Sequence, residues 1–292
     1  MKISLVVNTY NEEKNLERCL KSAKDLADEI VIVDMKSTDK TVEIAKKFGA
    51  KVYEHEYTRF VEPARTFALS KAKGDWILLL DADEILSETL AKKLKKIALE
   101  GAVDYVEMPR KNIIFGKWIK NSRWWPDYLP RFFKNGKVKI PDKIHSPYLK
   151  EGVGIVLEAE EENAIIHFNY QSIFQYLERM NRYTDIQSEE LIKKNYKFSL
   201  KDFILKPTGE FLSRFFAAEG YKDGLHGLSL ASLQAFSEMV VYLKVWEKEG
   251  FQEMEADLRE VSLKAINDYL FWLQKLALNS LDRLRLKIKA KI

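Results

Sequence analysis

The sequence predicts an α/β fold with a mostly parallel central sheet, followed by a C-terminal helical region. Short apolar runs alternate with stretches of helical spacing through the first hundred residues. The runs are apolar throughout, as in residues 30–33 (Ile-Val-Ile-Val), which is typical of parallel strands buried on both faces. Beyond residue 172 the spacing becomes helical. We therefore divide the chain into residues 1–102, 103–171 and 172–292.

The first region carries the clearest elements. We predict strands at residues 3–7, 29–34, 51–54 and 75–80, and helices at 12–26, 37–48 and 62–71. Thr38 is the expected N-cap of the second helix, and Gly49 is its expected stop. Such an order, with strands that are apolar throughout, predicts a parallel sheet with helices on either side.

The other two regions are predicted from different patterns. Strands at residues 105–108 and 164–168 enclose an aromatic-rich stretch, 118–133. Helices are predicted near 173–194, 209–219, 224–249 and 251–289, with Pro207 and Gly209 marking a break. This predicts a helical region appended to the α/β region.

Composition excludes several classes of protein. The single cysteine, Cys19, rules out an internal disulfide and a cysteine-based zinc site, and suits a reducing compartment. The net charge of +4 equals that of the last twelve residues alone, so the basic tail does not predict nucleic-acid binding. No run of 18 apolar residues occurs, and the chain begins with a strand-like run rather than a signal peptide. We expect a cytoplasmic protein without a membrane span.

Polar clusters follow three of the predicted strands. Residues 8–12 follow the first strand, Asp34 ends the second, and residues 81–84 (Asp-Ala-Asp-Glu) follow the fourth. Ligands of open α/β sheets bind at the carboxyl ends of the strands, where the strand order reverses. The three clusters therefore predict one shared binding site.

Asp81 and Asp83 give the most specific chemical indication. Carboxylates at positions i and i+2 after an extended segment project to the same side. One can face a ribose while the other holds Mg²⁺ or Mn²⁺, which phosphate oxygens and water complete. The alternative is a turn in which an aspartate opens the helix predicted at residues 87–100. The hydrophobic run before the pair and the two other clusters favour the functional interpretation.

Other nucleotide folds fit less well. No Gly-x-Gly-x-x-Gly follows the first strand, which argues against a dinucleotide pocket, and no Gly-x-x-x-x-Gly-Lys-Ser/Thr occurs. A receiver domain would leave the aromatic middle and the helical region unexplained.

The polar clusters together resemble glycosyltransferase family 2, whose members are inverting enzymes of the GT-A fold. The matching segments are Asn8-Thr9-Tyr10-Asn11-Glu12-Glu13, Asp34-x-x-Ser37-Thr38-Asp39-x-Thr41 and Gly74-Asp75-Trp76-(x)4-Asp81-Ala82-Asp83-Glu84. Further segments are most similar to the branch of lipopolysaccharide-core glucosyltransferases. They are Asn112-x-x-x-Gly116-Lys117-Trp118, Trp125-Pro126-Asp127-(x)3-Arg131-Phe132-Phe133, Ile144-His145 and His167-Phe168-x-Tyr170-x-Ser172.

The resemblance implies roles for seven residues at the nucleotide-sugar donor. It places residues 1–102 in the nucleotide-sugar-binding half and 103–171 in the acceptor-binding half of a GT-A domain. Asp83 would ligate Mg²⁺ or Mn²⁺. The residues implied to contact the nucleotide sugar are Thr9, Asn11, Glu12, Asp34, Arg65, Asp81 and Asp83.

The general base is open at the level of sequence. An inverting transfer needs a carboxylate that removes the proton of the acceptor hydroxyl. Relatives of this branch usually carry Glu after the histidine, whereas here Ser146 follows His145, and Met35 replaces a usually small residue. Asp142 and Asp127 are the candidates, with Glu151 behind them. Asp142 is favoured because it precedes His145 by three residues.

Histidine and tryptophan side chains complete the candidate site. His145 is predicted to bind the metal or the diphosphate, whereas His167, within a strand, is interpreted as structural. Trp124 and Trp125 are candidates for an acceptor platform because aromatic faces suit the C–H face of a sugar. Packing at a domain edge is the alternative for both.

The helical region carries an apolar stripe that ends in five basic residues. It fits attachment to an anionic membrane surface on the inner face of the cell membrane, but equally an oligomer contact or packing within the chain. The expected partners are a nucleoside-diphosphate sugar, a saccharide or lipid-linked acceptor, and either a membrane surface or a second copy.

The sequence thus predicts an inverting, metal-dependent hexosyltransferase. A sugar-phosphate nucleotidyltransferase would need a Gly-rich basic loop after the first strand, where Glu12 stands instead. A non-catalytic membrane-docked scaffold is the second alternative, which the retained aspartate pair disfavours.

Overall fold

A computed structural model describes residues 1–58, 61–141, 147–253 and 258–276. Two residues predicted to act in the site, Asp142 and His145, lie outside the described residues, as does the basic end of the chain. The chain forms two compact units. The sheet unit comprises Met1–Trp118 and Trp124–Asn169, and the helical unit comprises Ile119–Arg123 and the chain from Tyr170 onward.

The sheet unit alternates strands and helices in its first half. Its strands, with the last ending at Tyr170, are β1 (Ile3–Thr9), β2 (Glu29–Asp34), β3 (Lys51–Glu54), β4 (Trp76–Asp81), β5 (Glu84–Ile85), β6 (Tyr105–Ile114), β7 (Lys117–Trp118), β8 (Tyr128–Lys134), β9 (Val138–Lys139), β10 (Leu149–Lys150), β11 (Gly154–Val156) and β12 (Ile165–Tyr170). Its helices are α1 (Leu16–Ala23), α2 (Thr41–Lys47), α3 (Glu62–Lys71) and α4 (Glu88–Glu100).

The central sheet has the strand order β3-β2-β1-β4-β8-β6-β12-β5, with β7 and β11 pairing to β6. The four neighbouring strands β3, β2, β1 and β4 are parallel to one another. Strand β8 runs antiparallel to both β4 and β6. The chain leaves β1 towards β2 on one side and later returns on the other side as β4. This reversal puts the topological switch point between β1 and β4.

Both faces of the parallel strands are buried. Along β1, Leu5 and Val7 pack into a core with α1 and α4, while Val6 packs into a second core with α3. The predicted α/β class with a mostly parallel sheet is confirmed. It follows from strands that are apolar at every position, because helices cover both faces.

Two helices begin later than the sequence pattern predicts. α1 starts at Leu16, because residues 12–15 form a turn in which the Asn15 and Leu16 N–H groups donate to the Glu12 carbonyl. α2 starts at Thr41, so the prediction of Thr38 as N-cap is wrong. The Thr38 N–H instead donates to Asn11 Oδ1 at 2.8 Å, which joins this residue to the turn after β1.

The helical unit contains α5 (Ile173–Lys193), α6 (Leu200–Leu212), α7 (Leu225–Lys248) and α8 (Arg259–Leu276). The break predicted at Pro207 is wrong, since α6 runs through this buried residue. The Thr208 hydroxyl, next to the proline, donates to the Ile204 carbonyl of the preceding turn at 2.7 Å. The start predicted for the last helix is also wrong, because residues 251–253 are not helical.

Five residues from the aromatic-rich stretch belong to the helical unit. The Asp223 carboxylate accepts the backbone N–H groups of Lys120 and Asn121 at 3.4 and 2.8 Å. The Ser122 N–H donates to the Ala218 carbonyl at 2.7 Å. The segment 119–123 is thereby held by the turn that precedes α7.

Among the described residues, no helix combines the length and apolar character that crossing a bilayer requires. In α8, no residue is buried, and Leu263, Ile266 and Phe271 are about half exposed.

Candidate functional site

The carboxyl ends of β1, β2 and β4 bring three predicted residues to one edge of the sheet. Asn8 is in register with Asp81 on β4, and Thr9 is in register with Asp34 on β2. The predicted convergence of the strand-end clusters therefore exists in the fold, at the switch point between β1 and β4.

Asp34 is held by hydrogen bonds from both sides. Thr9 Oγ1 donates to its Oδ1 at 2.8 Å, and Ser37 donates through Oγ at 2.6 Å to Oδ1 and through its N–H at 2.8 Å to Oδ2. Only 4% of Asp34 is exposed. The carboxylate is fixed at the carboxyl end of β2. Its remaining lone pairs can accept further hydrogen bonds from hydroxyl or N–H groups.

Asn11 and Glu12 shape the turn after β1. Asn11 has a φ of 55°, a left-handed conformation that asparagine tolerates better than most residues. Its N–H donates to Ser37 Oγ at 2.8 Å, and the Glu12 N–H donates to Thr41 Oγ1 at 2.7 Å. Both residues therefore connect the end of β1 with the segment that follows β2.

An aromatic pair that no sequence pattern predicts lies beside this turn. The rings of Tyr10 and Tyr57 have centroids 4.4 Å apart and are 37% and 40% exposed as residues. Tyr57 follows β3, so only the parallel neighbours β1, β2 and β3 bring it here. The pair offers an exposed aromatic face close to Asp34.

Asp81 is clamped by two buried arginines. Arg65 on α3 pairs with Oδ1, and Arg131 Nη2 on β8 pairs with Oδ2 at 2.5 Å. Burial opposes ionisation of Asp81, but the positive charges of Arg131 and Arg65 outweigh it and hold the pKa of the carboxyl well below its usual range. Asp81 is therefore a carboxylate whose oxygens are already engaged.

Glu84 and Arg110 extend this ion-pair system towards Asp127. Glu84 Oε1 accepts from Arg131 Nη2 at 3.0 Å and from Arg110 Nη1 at 3.4 Å. Arg110 Nε and Nη2 donate to Asp127 Oδ2 at 2.9 and 2.5 Å. Asp127, one of the two predicted base candidates, is thus brought into the same network as Asp81.

Asp83 faces a histidine that the sequence suggested was structural. His167 Nε2 lies 3.5 Å from Asp83 Oδ1, and both side chains are 8% exposed. His167 Nδ1 contacts Asn112 Oδ1 at 2.7 Å, while Asn112 Nδ2 donates to the Trp124 carbonyl at 2.9 Å. The Asn112 amide is thereby oriented with its oxygen towards the ring, so that Nδ1 donates to it and Nε2 faces Asp83.

Asp83 and His167 form a pair rather than a full metal cage. Within the described ranges, no group of three or more His, Cys, Asp or Glu side chains could hold a metal ion. The carboxylate is nonetheless a suitable donor for Mn²⁺ or Mg²⁺, which often takes its other ligands from substrate phosphates and water, and the imidazole suits Mn²⁺ better than Mg²⁺. The donation from His167 Nδ1 to a side-chain oxygen is also usual for metal-binding histidines.

The tryptophans predicted to contact the acceptor lie on the sheet unit. Trp125 meets Trp118 edge to face, with ring centroids 5.2 Å apart. The Trp124 carbonyl accepts from the same Asn112 amide that orients His167 and that contacts Asp127 Oδ2 at 3.3 Å. Asn112 therefore connects the aromatic segment with two side-chain pairs, Asp83–His167 and Asp127–Arg110.

Two further buried groups belong to this edge. Neither amide atom of Asn8 has a hydrogen-bond partner among the described residues, although the side chain is buried. Cys19 on α1 is fully buried, and its Sγ donates to the Asp81 carbonyl at 3.5 Å. Burial, then the charges of Glu84, Asp83 and Asp81, raise the pKa of the Cys19 thiol well above its ordinary value.

Several residues of this network had no predicted role in binding or catalysis, and they lie on strands that are distant in sequence. Glu84, Asn112, Arg131 and His167 all stand in segments that carried the family resemblance, and Arg110 stands outside them. Their charge or hydrogen-bonding type was visible, but their partners lie up to 84 residues away in sequence. Only the order of β4, β8 and β6 brings them together.

Comparison with known proteins agrees with these features. The model of "Glycosyl transferase family 2" matches residues 4–149. A glycosyltransferase of Rickettsia typhi is 30% identical over 275 residues, which cover 91% of this chain and 89% of that protein. The SPbeta prophage-derived glycosyltransferase SunS of Bacillus subtilis is 34% identical over 150 residues, or 49% of this chain and 34% of SunS.

Among solved structures, S. aureus TarS in complex with UDP is similar with a TM-score of 0.46 and 17% identity, over 88% of this chain and 95% of that chain. The family assignment rests on the sequence matches. This chain belongs to glycosyltransferase family 2 and has a GT-A-like α/β fold.

Proposed function

We propose that this chain transfers a hexose from a nucleoside-diphosphate sugar to a saccharide or lipid-linked saccharide, with inversion and with Mg²⁺ or Mn²⁺. The observation that carries the proposal is the Asp83–His167 pair, directly after β4 and beside the arginine-clamped Asp81. A transfer of this kind has to bind a nucleotide, stabilise a departing diphosphate and deprotonate an acceptor hydroxyl.

Nucleotide binding is assigned to the ends of β1 and β2. The fixed carboxylate of Asp34 would accept a hydrogen bond from the base or ribose, and Thr9 and Ser37 would hold it in that orientation. The exposed rings of Tyr10 and Tyr57 offer a stacking surface for the base. Asn11 and Glu12 would act by shaping the turn that presents these groups.

The metal would be held by Asp83 and His167. When bound, the cation would supply positive charge that stabilises the departing diphosphate. Asp81 is less suited to hold it because both of its oxygens already pair with guanidinium groups. Arg65 and Asp81 would instead bind the ribose and the phosphate edge. His145, for which the sequence predicts metal binding, lies outside the described residues.

Asp127 is the general base that the contacts support. All three donors that reach its carboxylate, from Arg110 and Asn112, bind Oδ2, and among the described residues none binds Oδ1. Oδ1 would accept the proton of the acceptor hydroxyl as that oxygen attacks the sugar from the face opposite the leaving group. Asp142, which the sequence favours, has no described surroundings to compare.

The acceptor would meet the aromatic surface of Trp125 and its neighbour Trp124. The branch of lipopolysaccharide-core glucosyltransferases stays a prediction, as does attachment of the helical unit to an anionic membrane. A lipid-linked acceptor would be consistent with both.

Asp83→Asn tests the metal role. Calorimetry should show that Mn²⁺ strengthens UDP binding to the unsubstituted protein at least tenfold, and that the variant loses this gain. Asp127→Asn is the matched control, since it should bind UDP with Mn²⁺ normally but fail to hydrolyse nucleotide sugars. If Mn²⁺ strengthens UDP binding equally in Asp83→Asn, the proposed metal role is wrong.

A further inference from the structure

We infer that Glu84, Arg110 and Arg131 are positioning residues. They hold the Asp81 carboxylate, at the nucleotide-binding edge, and the Asp127 carboxylate, the proposed general base, in one rigid frame. The inference rests on the proposed role of Asp127. None of the three residues has to touch the donor for this role.

The frame is built across three neighbouring strands. Asp81 lies on β4, Arg131 on β8 and Arg110 on β6, and these strands are adjacent in that order. Charges alternate along the series Arg65, Asp81, Arg131, Glu84, Arg110 and Asp127. Asp81 and Glu84 therefore each lie between two guanidinium groups, and Asp127 ends the series beside Arg110.

Glu84 is the centre of the frame. It is 0% exposed, and its two carboxylate oxygens accept hydrogen bonds from different donors. Oε2 accepts the backbone N–H of Asp81 at 2.8 Å, while Oε1 accepts from Arg131 and Arg110. A buried carboxylate is strongly destabilising without a compensating cation, and the closer of the two cations, Arg131 at 3.0 Å, remains when Arg110 is replaced.

Arg110 carries the constraint outward to Asp127. Its Nη1 points to Glu84, and its Nε and Nη2 both point to Asp127 Oδ2. Its backbone N–H also donates to the Asp127 carbonyl at 2.9 Å. A guanidinium is planar with donors in fixed directions, so fixing one edge on Glu84 fixes the other edge on Asp127.

The consequence is a separation between donor binding and chemistry. Arg110 contacts neither Thr9 nor Asp34, so its loss should leave nucleotide binding intact while Asp127 loses its fixed orientation. Misplacement of a reacting group by about 1 Å can cost about 100-fold in rate. Glu84 contacts the Asp81 backbone and both arginines, so its loss should affect binding and chemistry together.

The experiment compares Arg110→Met with Lys150→Met. Lys150 on β10 forms an ion pair of 2.6 Å with Glu107, which lies on β6 as Arg110 does. Its replacement is therefore a matched control away from the frame. Both variants, together with Arg110→Lys and Glu84→Gln, are assayed for hydrolysis of a panel of UDP- and GDP-hexoses with Mn²⁺. Binding of UDP with Mn²⁺ is measured on the same samples by calorimetry.

We expect Arg110→Met to lower kcat for hydrolysis roughly 10- to 100-fold with UDP affinity within about twofold of the unsubstituted protein. Arg110→Lys should recover little, because one ammonium group cannot span Glu84 and Asp127. Lys150→Met should match the unsubstituted protein. Glu84→Gln should lose both UDP affinity and kcat.

Two results would overturn the inference alone: an unchanged kcat in Arg110→Met, or an equal loss of UDP affinity and kcat in that variant. The second would mean general loosening of the sheet unit. If neither the unsubstituted protein nor Lys150→Met hydrolyses any hexose of the panel, the proposed function itself fails and takes the inference with it.

Discussion

At the scale of single residues, the orientation of Asp34 depends on hydroxyl donors. Thr9→Val keeps the shape of the side chain but removes the donor 2.8 Å from Asp34 Oδ1. We expect UDP to bind about fivefold more weakly, which corresponds to roughly 1 kcal/mol. Calorimetric titration with UDP measures this. Thr184→Val, which removes a hydroxyl bonded to a helix carbonyl in the helical unit, should leave UDP affinity unchanged.

Glu29 gives a prediction for pH and stability. Burial raises its pKa, but hydrogen bonds from Ser4, the Lys73 N–H and Lys51 outweigh burial and lower the pKa from 4.5 to about 2. A lowered pKa in the folded state stabilises the fold above about pH 4.5, and this contribution disappears as the pH falls towards 2.

Glu29→Gln should therefore unfold with a free energy about 1–2 kcal/mol lower at pH 7. The difference from the unsubstituted protein should shrink at pH 3. Urea unfolding at pH 7, 5 and 3 measures it. A difference that stays constant across this range would show that the charge of Glu29 is not responsible.

The sequence could predict the residues at strand ends but not their partners. Asp34, Asp81 and Asp83 are visible because each follows a hydrophobic run, and the switch point explains why they matter. The two arginines on Asp81 lie 16 and 50 residues away from it, and no local pattern connects them. His167 was misleading for the same reason, since its neighbour Asp83 is 84 residues earlier.

At the scale of elements, two glycines of the helical unit should respond to alanine in opposite ways. At Gly227 on α7, a Cβ would lie 1.8 Å from the Gly220 carbonyl oxygen. At Gly209 inside α6, a Cβ would meet no atom within 4 Å. The first helix needs close approach of backbones, whereas the second only loses helix propensity to its glycine.

Gly227→Ala should lower the free energy of unfolding by about 1–3 kcal/mol, because the turn before α7 has to move. Gly209→Ala should raise it by about 0.5–1 kcal/mol. Thermal unfolding of the two variants measures both changes in the same unit. Destabilisation by both substitutions would contradict the packing described for α6.

Element boundaries show where sequence patterns fail. The periodicity predicted α7 to within one residue, because a long helix has many positions that agree. It misplaced the break at Pro207, because burial of the proline within the helical unit stabilises a helix that propensity alone disfavours. It also placed α2 too early, since Asn11 holds the Thr38 amide outside the helix.

At the scale of the whole molecule, the chain enters the helical unit twice. The sheet unit is interrupted between Trp118 and Trp124 by the segment 119–123, which the contacts with Asp223 and Ala218 assign to the helical unit. The predicted division into residues 1–102, 103–171 and 172–292 contains no such early entry. A short insertion of this kind has no signal in composition or periodicity.

A chain that ends at Asn169 should therefore fold its parallel strands but lose the order of residues 119–123. Hydrogen exchange should show rapid exchange of the Asn121 and Ser122 amides, which otherwise donate to Asp223 and Ala218. Amides of β1 and β4 should stay protected. Equal protection of the Asn121 and Ser122 amides in the shortened and full chains would contradict this.

The place of Cys19 gives the protein an internal reporter. It is the only thiol of the chain, it lies fully buried between α1 and the end of β4, and its raised pKa keeps it protonated. A thiol reagent such as DTNB can reach it only when α1 separates from the sheet. The labelling rate should therefore report how often α1 separates from the nucleotide-binding edge of the sheet. UDP with Mn²⁺ should slow this labelling, and no engineered label is needed to measure it.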